Sequence, residues 1–345
     1  MKGSLRNLLN LASAELEAWV AGAGFEKYRG RQIFQWLYKK SATDFDSMSD
    51  LPQDLRDALK AAFYFHLPKV VEAKPSADGT LKFLFELEDG ERIEAVVISD
   101  EDRRENTLCL STQVGCRYGC GFCYTGTMSF KRNLSSGEML GQYFAARARL
   151  AKRAELHRLV FMGMGEPLDN FEELKKTLGI ITSRQGLDFS SKRITVSTAG
   201  VIPYLDETWG LGVHLAVSIN AADPAQRTRL MPINKKYPVE EVVKALKKLD
   251  RSGRQKLTAE YVLLKGFNDS IEDAHRLARL LSGLDLMVNL IRFNAFPGCA
   301  FEPSEEKRAL SFQDRLKSAG FMVFIRKSKG QDILAACGQL RGSRP

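Results

Sequence analysis

Cys116, Cys120 and Cys123 stand in the segment VGCRYGCGFCYTG with the spacing C-x3-C-x2-C. A closed structural zinc site takes four cysteine or histidine ligands, and the nearest histidine along the chain is His157. Three thiolates can instead hold a [4Fe–4S] cluster by three of its irons, since such clusters are bound through cysteine sulfur. The fourth iron then stays open to a small ligand. Gly115, Gly119 and Gly121 allow the chain to wrap closely around an inorganic core. The competing readings are an incomplete zinc site, which would still lack a ligand, and three unrelated thiols.

Other residues could serve that open corner. Gly163-Met164-Gly165-Glu166-Pro167 follows an apolar run, and glycines with a carboxylate at a strand end suit contact with an ammonium group. Ser197 in VSTAG, Ser218 and Asn220 in AVSIN, and Asn294 in IRFNAFPG end later apolar runs. Their hydroxyl and amide groups could bind a carboxylate or a ribose, or simply cap strands and turns. Two cysteines lie outside the triplet: Cys109 seven residues before Cys116, and Cys337 in GQDILAACGQL. Either alone would most often be a buried apolar residue.

These residues need a scaffold. The chain has 345 residues, 44% hydrophobic and 27% charged, which suits one large domain and a smaller one. Residues 1–67 have helical spacing, with Leu51-Pro52 opening one helix. From Lys69 the period becomes two, in VVEAKP, LKFLFEL and RIEAVVI, separated by Ala77-Asp78-Gly79 and Glu88-Asp89-Gly90 as hairpin turns. Residues 1–95 are therefore expected to form an accessory domain and 96–345 the main one. There, strands at 107–114, 158–163, 193–199, 213–220, 257–264, 287–293 and 321–326 alternate with helices, one opening on a capping box from Ser135 to Glu138. This α/β alternation implies a parallel sheet. About six units favour a partial (β/α)6 barrel over a doubly wound open sheet, with active residues at the carboxyl ends of the strands.

No apolar run is long enough to span a bilayer. The N-terminus carries Glu15 and Glu17 and lacks the apolar core of a signal peptide. A cytoplasmic protein without a membrane partner is expected, its six cysteines reduced, catalytic or metal-bound. Net charge is +9 and the pI is near 9.2, compatible with a polyanionic partner. A basic helix over residues 147–158 (Arg147, Arg149, Lys152, Arg153, Arg158), with Lys131-Arg132 and Lys235-Lys236, could track phosphates or could be a solvated face.

The cysteine loop, with Phe122 before its last cysteine, resembles the radical S-adenosylmethionine (radical SAM) superfamily. With Cys109, Cys337, GMGEP, VSTAGVIP, LAVSIN, RLMPINKKYP, FNAFPG and GQDILAACGQL, the chain resembles the RlmN family of adenine-C2 RNA methyltransferases over nearly its whole length. The resemblance implies a [4Fe–4S] cluster on Cys116, Cys120 and Cys123. It implies SAM held by Gly165, Glu166, Ser197, Ser218, Ile219, Asn220 and Asn294, two molecules being used per turnover. Cys337 would take a methyl group from one, as a thiolate nucleophile. The second would yield a deoxyadenosyl radical that removes hydrogen from the S-methyl group, and the carbon radical would add to adenine C2. Cys109 would then attack Cys337, giving a transient disulfide and the methylated base. The proton acceptor at C2 corresponds best to Glu94 in RIEAVVI, although the segment from there to Cys109 is slightly long; Glu91 is the fallback. Cys299 has no role in this scheme and reads as a structural thiol.

By the same resemblance the substrates are an adenosine of large-subunit (23S) ribosomal RNA and the purine next to the anticodon of some transfer RNAs. An electron donor such as flavodoxin and a monomeric enzyme are expected, the helical N-terminal domain helping to grip RNA. An accessible base is required, from a loop or by extrusion. The rivals are adenine-C8 methylation of the antibiotic-resistance type, radical modification of a peptide or small molecule, and a non-catalytic iron–sulfur RNA-binding protein.

Overall fold

The computed structural model describes residues 5–100, 105–150 and 155–342. The N-terminal part consists of β1 (Arg6–Asn7), α1 (Ser13–Gly22), α2 (Tyr28–Tyr38), α3 (Gln53–Ala62) and β2 (Phe63–Tyr64). The helical spacing has its expected consequence in α2, where Ile33, Phe34, Leu37 and Tyr38 are buried on one face. β1 and β2 pair in parallel and tie the two ends of this unit together.

An antiparallel meander follows: β3 (Lys69–Pro75), β4 (Leu81–Glu86) and β5 (Arg92–Asp100). The expected turns both contain glycine at φ +81, Gly79 and Gly90, the left-handed geometry that tight hairpins need. β5 runs through position 95 and pairs antiparallel with β6 (Glu105–Cys109). The meander is therefore continuous with the sheet of the main domain.

That sheet supplies the barrel. After β6 come β7 (Gln113–Val114), β8 (Arg132–Asn133), α4 (Ser136–Arg149), β9 (Leu156–Phe161), α5 (Phe171–Thr182), β10 (Ile194–Thr198), α6 (Leu205–Gly210) and β11 (His214–Ser218). Then follow α7 (Pro224–Leu230), α8 (Val239–Lys247), β12 (Leu257–Leu263), α9 (Ile271–Leu281), β13 (Met287–Arg292), α10 (Glu306–Ser318) and β14 (Met322–Arg326). The ten-stranded sheet has the order β14-β13-β12-β11-β10-β9-β6-β5-β4-β3. Its members β6 and β9 to β14 are mutually parallel. The expected α/β barrel is present, with β14 as a further parallel strand at its edge. β7 and β8 pair with each other and close the base of the loop that holds the cysteine triplet.

The capping box is present: Glu138 N donates to Ser135 Oγ at 3.3 Å and Ser135 N to Glu138 Oε2 at 2.8 Å. The basic helix is not one helix. α4 ends at Arg149, and Arg158 lies on β9, where its Nε is 2.9 Å from Glu105 Oε2; Lys152 and Arg153 lie outside the described residues. The apolar alternation that places Leu159 and Phe161 in the core overrides the helical charge pattern there. Arg132 is also committed internally, to both oxygens of Glu138 (2.8 and 2.9 Å) and to Asp89 (2.6 Å). Among the described residues, no helix is long and apolar enough to cross a membrane.

Candidate active site

One pocket lies where the parallel strands end. Cys116, Cys120 and Cys123 line it from the loop between β7 and β8, Gly165 and Glu166 from the loop after β9, and Ser197 from β10. Ser218 and Asn220 come from the end of β11, Asn294 from the segment after β13, and Cys337 from the C-terminal tail. Side chains separated by more than 200 positions in sequence thus face one cavity. Ile219 does not join them. Its side chain is buried, while its N–H donates to Glu260 O (3.0 Å) and its carbonyl accepts from Arg227 Nε (3.0 Å).

Local geometry explains the glycines nearest the chemistry. A Cβ on Gly126 would stand 2.6 Å from Cys120 O, so a larger residue would push apart the two arms of the cysteine loop. Gly165 has φ +97, and a Cβ there would meet Gln113 Cβ at 2.5 Å. The loop is pinned from outside by Gly121 N on Leu230 O (2.9 Å) and Tyr124 N on Gly338 O (2.6 Å).

The donor set fits a cluster better than a single ion. Among the described residues, no three His, Cys, Asp or Glu side chains converge closely enough to hold one metal ion. A cubane needs its three thiolates at separate iron corners. Burial pushes the Cys116 thiol up to about 12 and raises Cys120 and Cys123 as well, with neighbouring thiols adding to it at Cys116 and Cys120. Three crowded, half-buried sulfurs become thiolates when a cation neutralises them, as iron does.

Glu166 is buried, and burial pushes its carboxyl up to about 7 against the pull of the Ala199 and Leu168 N–H groups. Those groups donate to Oε2 at 2.7 Å and to Oε1 at 3.1 Å. Asn220 stands at φ +57, its Oδ1 accepting from Val262 N at 2.8 Å. Asn294 is directed at the tail: its Nδ2 donates to Cys337 O (3.1 Å) and its Oδ1 accepts from Gln331 Nε2 (2.7 Å).

Three residues at this site escaped the sequence reading. Arg227 is fully buried and gathers the strand ends. It donates to Ile219 O, Ala199 O (2.9 Å), Ser218 O (3.1 Å) and Asn234 Oδ1 (2.8 Å). Glu260, on β12, lines the pocket, and burial pushes its carboxyl up to about 7 while Asn289 Nδ2 donates to its Oε1 at 2.9 Å. Lys82, on β4, lies 3.0 Å from Glu94. Arg227 lies two residues before the run RLMPINKKYP, and neither Glu260 nor Lys82 has a local signal.

Cys109 ends β6, buried, and does not line the pocket; burial drives its thiol far up, and the charge of Cys337 adds to this. The Cys337 thiol is exposed to the pocket and is also raised, by burial first and then by the charge of Glu260. Glu94 is buried on β5 beneath the tail, outside the pocket wall, and its Oε2 accepts from Arg341 N and Gly342 N. Glu91 pairs at 3.8 Å with Lys131 at the surface. Cys299 Sγ donates to Gly121 O at 3.7 Å, inside the cysteine loop.

Residues 110–278 match the model of the radical SAM superfamily, and residues 6–64 that of the ribosomal RNA large subunit methyltransferase N-terminal domain. The chain is 47% identical to the dual-specificity RNA methyltransferase RlmN of Solidesulfovibrio magneticus, covering 98% of this chain and 97% of that one. It is 44% identical to the RlmN of Geobacter sulfurreducens, over 97% and 92%. This chain belongs to the RlmN family. A crystal structure of a radical SAM methyltransferase from Sphaerobacter thermophilus superposes with a TM-score of 0.90 at 41% identity, covering 98% of this chain and all of that one. RlmN membership brings a [4Fe–4S] cluster and SAM as cofactors, and the three pocket-facing cysteines have the donor chemistry that such a cluster takes.

Proposed function

We propose that this chain methylates C2 of adenine in 23S ribosomal RNA and in transfer RNA, at the purine next to the anticodon. The observation that carries this reading is that Cys337 lines the same pocket as Cys116, Cys120 and Cys123. A tail thiol has no purpose in a radical enzyme that acts directly on a small molecule. The matched N-terminal domain supports ribosomal RNA as a substrate.

Bound at the site, the cluster and SAM supply a methyl group and a carbon-centred radical. The chain's residues do the rest. Cys116, Cys120 and Cys123 ligate the cluster. Glu166 and Gly165 form the wall for the amino end of SAM, with Ser197, Ser218, Asn220 and Asn294 completing its site and the buried Ile219 holding the strand end behind Ser218 and Asn220. Cys337 accepts the methyl group on sulfur and presents it to the base. That division of labour has a physical reason: C2 of adenine is electron-poor and cannot attack a methyl group itself. Cys109 resolves the protein–RNA adduct through a transient disulfide with Cys337, and Glu94 takes the C2 proton. The enzyme works as a cytoplasmic monomer and draws electrons from a donor such as flavodoxin.

Anaerobic reconstitution with methyl-labelled SAM tests this. Label is expected on Cys337 before RNA is added and in 2-methyladenosine afterwards. Cys337→Ala with full turnover, or 8-methyladenosine as the only product, overturns the reading.

A further inference from the structure

The tail that carries Cys337 has little regular structure to hold it. Apart from one turn at Gln331–Ile333 it is irregular from 327 to 342, and Leu334 sits at φ +54, a backbone conformation disfavoured for any residue with a Cβ. Its position therefore depends on contacts from the elements around it: Asn294 and Thr125 bind the carbonyls of Cys337 and Leu340, and side chains of the β3–β5 meander hold its two ends. Several converge on one buried carboxylate. Glu94 Oε2 accepts from Arg341 N at 2.8 Å and from Gly342 N at 3.2 Å, and Oε1 lies 3.0 Å from Lys82 Nζ. Lys82 Nζ also donates to Leu334 O at 3.3 Å, so one ammonium bridges the carboxylate and the tail backbone.

The other cations nearby are engaged elsewhere. The Arg341 guanidinium donates to Tyr124 Oη at 2.6 Å, and Arg92 on β5 pairs with Glu86 on β4 at 3.0 Å. The Lys82–Glu94 pair is sheltered, its side chains 15% and 6% exposed. In such surroundings a charged acceptor makes strong hydrogen bonds, and losing one partner of the pair is costly.

We propose that Lys82 and Glu94 form a charge-dependent clamp on the tail, docked while Glu94 is a carboxylate and released when Glu94 carries a proton. Lys82 is the positioning residue of this clamp. The inference rests on the reading of Glu94 as the proton acceptor. A protonated carboxyl loses its charge and replaces one acceptor site with an O–H donor, yet it would face two N–H donors and an ammonium. While the tail is docked, the Glu94 oxygens accept from those donors, and a proton taken from the substrate displaces them and frees the tail. In that transfer the C2–H bond breaks, an O–H bond forms on Glu94, and the electron pair stays on the ring carbon. Release has a use at this point. Cys337 opens on the pocket while Cys109 is buried beside it, near enough for the charge of Cys337 to act on its thiol, so a freed tail gives Cys337 room to turn from the pocket towards Cys109.

Hydrogen exchange read by mass spectrometry on the reconstituted full chain, without RNA, tests the clamp. In E94Q and in K82M, amides of residues 331–342 are expected to exchange at least roughly tenfold faster than in the wild type. Exchange in β9 to β12 should be unchanged, and K82R should restore most of the protection. Wild-type exchange of the tail in both E94Q and K82M overturns the clamp and leaves the proton-acceptor reading standing. If E94Q disturbs the whole meander, the K82M and K82R pair decides: loosening confined to the tail supports the clamp, loosening across 69–100 refutes it. The trigger is tested separately with RNA deuterated at C2. Loss of that deuterium by E94Q at the wild-type rate removes Glu94 as acceptor, and the proposal with it.

Discussion

The two walls of the pocket are built in opposite ways. The barrel wall consists of strand ends whose backbone is tied into a parallel sheet and gathered further by the buried Arg227. The tail wall has one short turn and is held by side chains: Asp332 accepts from Ser76 Oγ at 2.6 Å and Ala77 N at 3.2 Å, and Gly330 N donates to Asp78 at 2.8 Å. Groups that must hold a cofactor in fixed geometry sit on the rigid wall. In the proposed mechanism one thiol, Cys337, meets three partners in turn, a methyl donor, a base and Cys109, and it sits on the wall with little regular structure. Precision and travel are different demands, and the fold assigns them to different kinds of backbone.

The largest expected effects separate the two walls outright. Replacing Cys116, Cys120 or Cys123 by alanine should abolish the iron–sulfur absorbance and, with it, reductive SAM cleavage. Cys337→Ala should leave both intact and yet transfer no methyl group to RNA. An unchanged absorbance spectrum in the first set would refute cluster ligation, and loss of the cluster in Cys337→Ala would mean that the walls are not independent. Cys109→Ala should allow methylation of Cys337 but trap an RNA–protein crosslink, seen as a covalent band on denaturing gels.

Next in size is the stability difference. Arg227→Met leaves the carbonyls of Ala199, Ser218 and Ile219 without their buried donor, which should lower unfolding stability by about 3 kcal/mol. Asp332→Ala removes two contacts at the exposed edge of the tail and should cost far less than the loss of Arg227. Denaturant unfolding measures both; equal losses would erase the proposed contrast in rigidity.

The rigid wall is also the one that was legible in the sequence. Its ligands lie within eight positions, Cys116 to Cys123, and its strands announce themselves by apolar runs between helices. The cysteine spacing, GMGEP and the strand-end serines therefore led to one cavity. What stayed hidden depended on distant partners. Lys82 in LKFLFEL reads as an outward residue of an alternating strand until the tail, about 250 positions later, folds over it. Glu260 is one acid within the apolar run LTAEYVLL, and only the curvature of the barrel turns it inward. Asn294 lines the pocket, and its further hold on the tail through both ends of its amide has no local signal. The basic segment after α4 carried the right charges, but the core demanded a strand from Leu156 onward.

Glu260 gives the rigid wall a pH signature. Its folded value of about 7 lies above the ordinary 4.5 because burial penalises the charged form. Between those values the folded chain binds more protons than the unfolded one, so stability falls as pH rises from about 4.5 to about 7 and stays lower above. The full effect is on the order of 3 kcal/mol. E260Q keeps an acceptor for Asn289 and should flatten that part of the profile, raising the melting temperature above pH 7 but not at pH 4. Glu166 contributes with the same sign in the same range, so a residual slope is expected. An E260Q profile parallel to the wild type would mean that the carboxylate is solvated and that this wall is less dry than its packing implies.

The smallest effect concerns surfaces outside both walls and turns on which basic residues are free to meet phosphate. Arg132 is bound to Glu138 and Asp89, whereas Lys235 and Lys236 are exposed, Lys236 lying 5.2 Å from the centre of the Tyr237 ring. Neutralising a lysine that contacts phosphate lowers the slope of log affinity against log salt by about 0.7–0.9. K235A and K236A should each reduce the salt slope of RNA binding by roughly that amount, uniformly across RNA sequences. R132A should leave the slope unchanged while lowering stability, because it removes a bidentate pair with Glu138 rather than a contact to RNA. A reduced slope in R132A with none in K235A or K236A would move the RNA track to the meander side of the pocket, next to the tail.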